Sequence, residues 1–280
     1  MPKVIILGSS NAIPTIKAEN THMVIVGENR MVMVDSVSNP IVRLEQAGVD
    51  FSDLTDIVVT HFHPDHASGI PLLLMDMWLM GRHKPINIYG LDYTIDRLEK
   101  MMGLYNWNEW PDFFPVEFVR LPSTELFTVL DCPDFLVKSS PVHHMIPTIG
   151  LRFEFKKSNK TMAYSCDTEP CDEVVRLSNG VDVLLHEATG ESYGHSSAKQ
   201  AGDIATKAEV GKLYLIHYPT GKFAKDDLIA QAAETYQGEI GMAKDFMVLD
   251  FSKRMPLSPF GRGANQDTLR IKKWEPPTEP

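Results

Sequence analysis

The chain has 280 residues, 43% of them hydrophobic, and a net charge of −10 from 27 Lys and Arg against 37 Asp and Glu. This length and composition allow one large globular domain or two modest ones. The acidic balance argues against a broad nucleic-acid surface, because phosphate binding depends on clustered Lys and Arg. No apolar run is long enough for a spanning helix and no signal-peptide pattern opens the chain, so we expect a cytoplasmic protein without a membrane partner.

The chain has three cysteines, Cys132, Cys166 and Cys171, which are too few and too scattered to indicate a disulfide framework. Cys166 and Cys171 are five positions apart and can in principle bind metal. A zinc site built from cysteines alone is not expected from three thiols, and Cys166 is interpreted as a small packing residue.

The first half of the chain alternates predicted strands and helices. Hydrophobic patterns predict strands at residues 3–8, 22–26, 31–35, 57–60 and 86–89, and helices at residues 39–47, 67–80 and 93–102. The aromatic segment 104–115 is predicted to be a packed loop, with a substrate wall or an oligomer contact as the alternative.

The second half repeats the alternation. We predict strands at residues 135–139, 150–155, 161–165, 181–186, 212–217 and 245–251, and helices at residues 197–207 and 225–236. Two halves of strands followed by helices indicate an α/β sandwich. Residues 1–251 are expected to form one domain and residues 252–280 a C-terminal extension.

The most informative segment follows the predicted strand 57–60. His61, His63, Asp65 and His66 place three imidazoles and a carboxylate within six positions. These side chains are the usual non-sulfur ligands of zinc. His61 and His63 point the same way in an extended segment, and the other two follow a turn marked by Pro64 and can face a second position. The spacing predicts a two-metal site that takes further ligands from elsewhere in the chain.

The further ligand candidates lie at or near the ends of predicted strands in the second half. They are the pair His143 and His144, the acid Asp167 and the imidazole of His217. A carboxylate such as Asp167 can bridge two cations, and the imidazoles can complete one ion each.

Residues 61–66 match the HxHxDH signature of the metallo-β-lactamase fold superfamily, which the chain resembles. The segments around His144, six residues before Gly150, around Asp167 and around His217 are similar to the remaining ligand motifs of that family. The resemblance implies a four-layer αβ/βα sandwich with the metals at one edge, between the sheets. It also implies that one ion binds His61, His63 and His144, that the other binds Asp65, His66 and His217, and that Asp167 bridges them.

Two further segments resemble the branch of ribonuclease Z and related phosphodiesterases: His186 to Thr189, which reads HEAT, and Gly194 to Ser197, which reads GHSS. The resemblance implies that a hydroxide held by two zinc ions attacks a phosphodiester. His195, oriented by Glu187, would protonate the leaving alkoxide, and Asp65 would take part in proton transfer. Manganese or iron would also suit these ligands.

The chain departs from this branch in the segment between two ligands. Only 22 residues separate His144 from Asp167, which leaves no room for the arm that grips transfer RNA in bacterial ribonuclease Z. The substrate is therefore open between a small phosphodiester and an RNA. Transfer-RNA 3′ processing without the arm would require another basic surface, such as the tail residues Lys253, Arg254, Arg262, Arg270, Lys272 and Lys273.

Other functions of the fold stay open or are disfavoured. The same metal chemistry can open a lactone, a thioester or another small ester. A redox role is disfavoured because the redox branch has Glu where this chain has His63, and a non-catalytic role is disfavoured because every expected ligand is present. Relatives are commonly dimers, and the apolar predicted helix at residues 72–80 offers a surface for a homodimer.

Overall fold

A computed structural model describes residues 2–224 and 226–252 as two facing β-sheets with helices on their outer sides. The first sheet contains β1 (Lys3–Gly8), β2 (His22–Val26), β3 (Met31–Val34), β4 (Asp56–Val58), β5 (Ile86–Leu91), β6 (Val116–Leu121) and β14 (Val248–Asp250). The second contains β7 (Phe127–Asp131), β8 (Phe135–Val142), β9 (Thr148–Phe155), β10 (Lys160–Tyr164), β11 (Val183–Glu187), β12 (Lys212–Ile216) and β13 (Glu239–Met242).

The strand order is β14-β1-β2-β3-β4-β5-β6 in the first sheet and β13-β12-β11-β10-β9-β8-β7 in the second. The first half carries α1 (Pro40–Gln46), α2 (Pro64–Ala67), α3 (Ile70–Leu79) and α4 (Asp92–Leu104), and the second carries α5 (Asp172–Leu177), α6 (Ala198–Lys207) and α7 (Leu228–Ala233). Short 3-10 helices lie at Phe51–Asp53, Trp107–Glu109 and Gly221–Phe223.

Three hydrophobic cores hold the layers together. One lies between the two sheets around Phe153 and Tyr164, and one between the first sheet and its helices around Leu74. The third lies between the second sheet and its helices around Ala201 and Leu213. Three cores between four layers confirm the predicted αβ/βα sandwich.

The strands that carry the candidate ligands end at one edge of the sandwich. Strands β1, β3 and β4 run the same way in the first sheet, as do β8, β10, β11 and β12 in the second. Backbone hydrogen bonds join the two sheets at this edge, from Ile149 N to Thr60 O (3.2 Å) and from His217 N to Ser9 O (2.9 Å). Side chains that follow these strands are thereby brought together.

Three non-glycine residues at this edge have left-handed backbones. Asp35 follows β3 with φ of 60°, Cys166 lies just beyond β10 with φ of 55°, and His217 follows β12 with φ of 51°. Residues other than glycine seldom adopt this backbone conformation, and those that do are often found at functional sites. The sharp bends turn the chain at the ends of three strands from both sheets.

The predicted helix at residues 67–80 is wrong in one respect, because the segment is divided into α2 and α3. Gly69 lies at the break, where a Cβ atom would stand 2.7 Å from the backbone nitrogen of Val37. Its N–H donates to the carbonyl of Ser36 at 2.8 Å. Pro71 is the second residue of the new helix and lies in its first turn, where a missing N–H breaks no hydrogen bond within the helix.

Other expectations are confirmed or corrected more simply. Ser197 caps α6 in a capping box with Gln200, so the helix predicted at residues 197–207 begins one residue later, at Ala198. Helix α7 is shorter than predicted because Asp227 caps it, and Lys225 lies outside the described residues. The aromatic segment 104–115 is packed as predicted, with Trp107, Trp110 and Phe113 against the core between the first sheet and its helices.

The division into a domain at residues 1–251 and a C-terminal extension stays a prediction, and residues 253–280 lie outside the described part, including the six basic tail residues. Among the residues that are described, no helix is both long and apolar enough to cross a bilayer.

Candidate metal centre

Three imidazoles converge on one point at the shared edge and form what we call the first donor set. Nδ1 of His63 lies 3.1 Å from Nε2 of His61 and 3.1 Å from Nε2 of His144. His61 and His63 follow β4 in the first sheet, and His144 follows β8 in the second. Each sheet therefore supplies part of this set.

Two imidazoles and two carboxylates form the second donor set beside it. Nε2 of His66 lies 3.6 Å from Oδ2 of Asp65 and 3.5 Å from Oδ2 of Asp167, and Nε2 of His217 lies 3.4 Å from each of these oxygens. Oδ2 of Asp167 is also 4.0 Å from Nε2 of His144. Asp167 thus lies between the two sets, the position that a bridging carboxylate requires.

The buried carboxylate of Asp35 controls the protons of two imidazoles. It accepts a hydrogen bond from Nδ1 of His66 at 2.8 Å and another from the hydroxyl of Thr60 at 2.8 Å. Since that hydroxyl has only one hydrogen, its oxygen must accept from Nδ1 of His61, 3.1 Å away. In the neutral rings of His61 and His66, Nε2 is therefore left with a free lone pair.

The same arrangement fixes the two imidazoles from the second sheet. Nδ1 of His144 donates to the carbonyl of Gly194 at 2.7 Å. The hydroxyl of Thr189 donates to the carbonyl of His217 at 2.8 Å, so its oxygen accepts from Nδ1 of the same ring at 2.9 Å. Partners of this kind orient metal-ligating imidazoles and set their tautomers.

The Nε2 atoms of these four imidazoles therefore point inward. Burial lowers the pKa of His66, but the charges of Asp167 and Asp35 outweigh that effect and raise it well above its usual value, so a cation bound there would displace a proton. Among the described residues, the buried atoms Nε2 of His66 and Oδ1 of Asp167 have no hydrogen-bond partner. Burial lowers the pKa of His61 well below its usual value, which keeps that ring neutral. Converging imidazole nitrogens and carboxylate oxygens, with two buried atoms that have no hydrogen-bond partner, fit divalent metal ions, which accept lone pairs from such donors.

A second functional pair, Glu187 and His195, lies next to the donor sets. Nδ1 of His195 is 3.0 Å from Oε1 of Glu187, and the Glu187 side chain is fully buried. Backbone N–H groups of Thr168, Thr189 and Ser196 also donate to this carboxylate at 2.8–3.2 Å. The carboxylate is thereby held in one orientation.

The position of His195 relates it to both donor sets. Its ring centroid is 5.0 Å from that of His144 and 5.9 Å from that of His217. Burial lowers the pKa of His195, but the hydrogen bond and charge of Glu187 outweigh that effect and raise the pKa above its usual value. The ring is therefore suited to carry a proton beside the donor sets.

A cavity of about 320 Å³ opens beside His195. Its walls include the carboxylates of Glu169 and Glu191, the ring of Tyr193 and the amide of Gln200. Within residues 2–224 and 226–252, no Lys or Arg lines it. A group bound beside His195 therefore meets an acidic wall.

Fold and site together define a metal-dependent hydrolase. Residues 30–218 match the family model described as the β-lactamase superfamily domain, and the chain belongs to that family. It is 25% identical over 305 aligned positions to the ribonuclease Z of Methanothermobacter thermautotrophicus, covering 89% of this chain and 97% of the relative. The chain thus resembles ribonuclease Z along most of its length, which confirms the predicted branch.

Two solved structures have a similar fold. The metallo-β-lactamase fold protein YhfI from Bacillus subtilis superposes with a TM-score of 0.75 at 22% identity, over 89% of this chain and 99% of that one. The short form of human tRNase Z superposes with a TM-score of 0.70 at 24% identity, again over 89% and 99%. At these identities the superpositions support the fold.

The structure brings every predicted site residue to this edge. The donor sets contain His61, His63, Asp65, His66, His144, Asp167 and His217, with Glu187 and His195 beside them. The individual roles of these residues stay predictions. The sequence interpretation missed Asp35 and Thr189, which orient ligands from the ends of β3 and β11. Asp35 closed a predicted strand, so an acid at a strand end was the available signal.

Proposed function

We propose that the chain is a phosphodiesterase with two divalent metal ions, zinc in the first instance. The observation that carries the proposal is the Glu187–His195 pair, held 3.0 Å apart beside two adjacent donor sets. The donor sets suit metal-assisted hydrolysis of many bonds. An additional imidazole with a raised pKa is most useful where an alkoxide must leave, because that group needs a proton.

The first donor set would hold one ion, the second would hold the other, and Asp167 would bridge them. When bound, the ions would supply an acidified water and stabilise charge on the phosphoryl oxygens. One P–O bond forms to the water oxygen and one breaks to the leaving oxygen. His195 gives its proton to that oxygen from Nε2, while Glu187 keeps the ring in place through Nδ1. Asp65, which is only partly buried, would pass on the proton released by water.

The test uses His195→Ala with bis-(p-nitrophenyl) phosphate and a second diester that has an alkyl leaving group. Nitrophenolate leaves without much assistance, so the variant should lose about 10²-fold or more on the alkyl diester and less on the aryl one. Metal content should stay unchanged. His83→Ala, an exposed imidazole away from the site, is the matched control. Equal losses on both diesters would remove the proton-donor role from His195.

Hydrolysis of a lactone, thioester or other small ester is the alternative for the same centre. Such bonds depend on the metal-activated water more than on His195. A substrate panel decides between them: higher kcat/KM on a lactone or thioester than on any phosphodiester would replace the proposal.

Cleavage of an RNA is the second candidate, supported by the relatives that are named ribonuclease Z. The charge of the chain does not favour it: residues 1–252 contain 21 Lys and Arg against 34 Asp and Glu, whereas residues 253–280 contain six against three. A polyanion that extends past His195 would meet Glu169 and Glu191. We therefore propose a small phosphodiester as the substrate. Cleavage of a precursor transfer RNA by the full chain, lost when residues 252–280 are removed, would favour RNA instead.

A further inference from the structure

We propose that His143, Cys171 and Glu173 form a third metal site that binds a borderline-soft divalent cation such as Zn²⁺ or Co²⁺. Their donor atoms lie within 4.8 Å of one another, and Nε2 of His143 is 3.4 Å from Oε2 of Glu173. None of the three belongs to the first or second donor set. The proposal does not depend on which bond the enzyme hydrolyses.

The donor types suit such an ion. One thiolate, one imidazole and one carboxylate are all established zinc ligands, with bonds of about 2.0–2.3 Å. Around a tetrahedral ion, such bonds place the donor atoms roughly 3–4 Å apart. The present separations need only a small closure, and the His143 side chain is 61% exposed and free to make it. Three protein ligands leave one position for water.

The backbone under the three side chains is held in place. The N–H of His143 donates to the hydroxyl of Thr168 at 3.1 Å, and its carbonyl accepts from Glu169 N at 2.7 Å. The Thr168 hydroxyl is in turn 3.7 Å from Sγ of Cys171. Thr168 therefore fixes the backbone of His143 relative to the thiol of Cys171. Binding of a metal ion then requires movement of side chains only.

Cys171 is the cysteine that fits this role. It occupies the N-cap position of α5 without a side-chain capping hydrogen bond, and Glu173 follows in the first turn of that helix. Cys166 is fully buried, and its sulfur faces Nδ1 of His61 at 3.6 Å. Glu173 uses Oε1 to pair with Arg176 at 3.0 Å, while Oε2 faces His143. The carboxylate thus has one oxygen available for a cation.

Binding involves a simple exchange of ions. The Cys171 thiol loses its proton to solvent as the sulfur–metal bond forms, and neither partner changes oxidation state. The ion takes the imidazole lone pair of His143 and one oxygen of Glu173.

The experiment uses Co²⁺, because a Co²⁺–thiolate bond gives an intense near-ultraviolet charge-transfer band that nitrogen and oxygen ligands do not give. The full-length protein is loaded with Co²⁺ to saturation, and spectra and bound metal are measured. We expect the band in the wild-type protein and its loss in Cys171→Ala, together with about one equivalent of bound Co²⁺. Cys132→Ala and Cys166→Ala are matched controls that should keep the band.

A further variant separates loss of the site from loss of folding. His143→Ala changes an exposed side chain and should leave the fold intact while weakening Co²⁺ binding at this site by about tenfold or more. A wild-type protein without the band, a band that survives in Cys171→Ala, or a band lost only in Cys166→Ala would each overturn the proposal.

Discussion

Oδ2 of Asp35 accepts a hydrogen bond from Nδ1 of His66 at 2.8 Å, and both side chains are fully buried. The same carboxylate accepts from Thr60, which in turn fixes the proton of His61. Asp35, which belongs to neither donor set, thus fixes the position of the Nδ1 proton on one imidazole of each set.

Replacement of Asp35 by Asn should weaken metal binding without removing a ligand. The amide can place N–H where the carboxylate oxygen stood, and the His66 proton would then move to Nε2 and block its lone pair. We expect metal affinity to fall by about 10- to 100-fold, measured by titration against a competing chelator. Asp53→Asn, an exposed acid, is the control. Unchanged affinity would show that Asp35 does not set the tautomer.

Thr189→Val should act on one ion only. Valine has a similar shape but cannot accept the proton from Nδ1 of His217, so this ring is free to adopt the wrong tautomer. We expect one of two ions to bind about tenfold more weakly in stepwise titration while the other is little affected. Thr189→Ser keeps the hydroxyl and should restore the affinity. Equal weakening of both ions would contradict the assignment of His217 to the second set.

His22 should make the protein sensitive to acid. Burial lowers its pKa from 6.5 to about 3, with a hydrogen bond to the Asn20 carbonyl only partly opposing. Because the folded pKa lies below the unfolded one, the unfolded chain binds the extra proton between pH 6.5 and about 3. This group therefore removes stability as the pH falls through that window, by about 2 kcal/mol between pH 7 and pH 5.

The check compares the wild-type protein with His22→Asn, which keeps a donor for the Asn20 carbonyl and does not titrate. Urea unfolding at pH 7 and pH 5 gives the loss of unfolding free energy in each protein. The loss should be about 2 kcal/mol smaller in the variant, because the responses of all other groups cancel in the comparison. Parallel losses would mean that His22 is not buried as a neutral ring.

The acidic wall beside His195 should discriminate by charge. Glu169→Gln combined with Glu191→Gln should raise kcat/KM on a short oligoribonucleotide several-fold at low salt, and less at high salt, because repulsion between charges is screened. Activity on bis-(p-nitrophenyl) phosphate should change little. Glu45→Gln combined with Glu117→Gln removes the same charge from exposed positions outside the cavity and is the control. An equal rise in kcat/KM in the control would show that the effect comes from the net charge of the protein and not from the cavity wall.

The central strands of the two sheets were predicted from the sequence more accurately than the edge strands. Buried strands such as β1 and β12 are continuous apolar runs, and they were predicted within one residue. The missed strands β6, β7 and β13 are all edge strands. An edge strand is half exposed and carries charged residues such as Glu117 and Arg120, which dilute the hydrophobic pattern. The sequence therefore predicts the two sheets and their helices but not all of the strands in each sheet.

The candidate metal ligands could be predicted from the sequence, whereas the residues that orient them could not. Four of them lie within six residues, so spacing alone indicated a metal site. Asp35 reaches His66 across 31 positions and Thr189 reaches His217 across 28. Such contacts exist only after parallel strands end side by side, and an isolated Asp or Thr carries no local signal of them. Their roles require the folded geometry.

Each donor set takes members from both sheets, with His61 and His63 facing His144, and with Asp65 and His66 facing Asp167 and His217. An ion in either set would bind residues from both sheets at once. Separation of the two sheets would therefore remove some of its ligands. Metal loading and the closure of the two halves are therefore linked equilibria. Stripping the ions should loosen the joint between the sheets before it disturbs either sheet, and complementary fragments carrying one half each should need each other in order to hold metal.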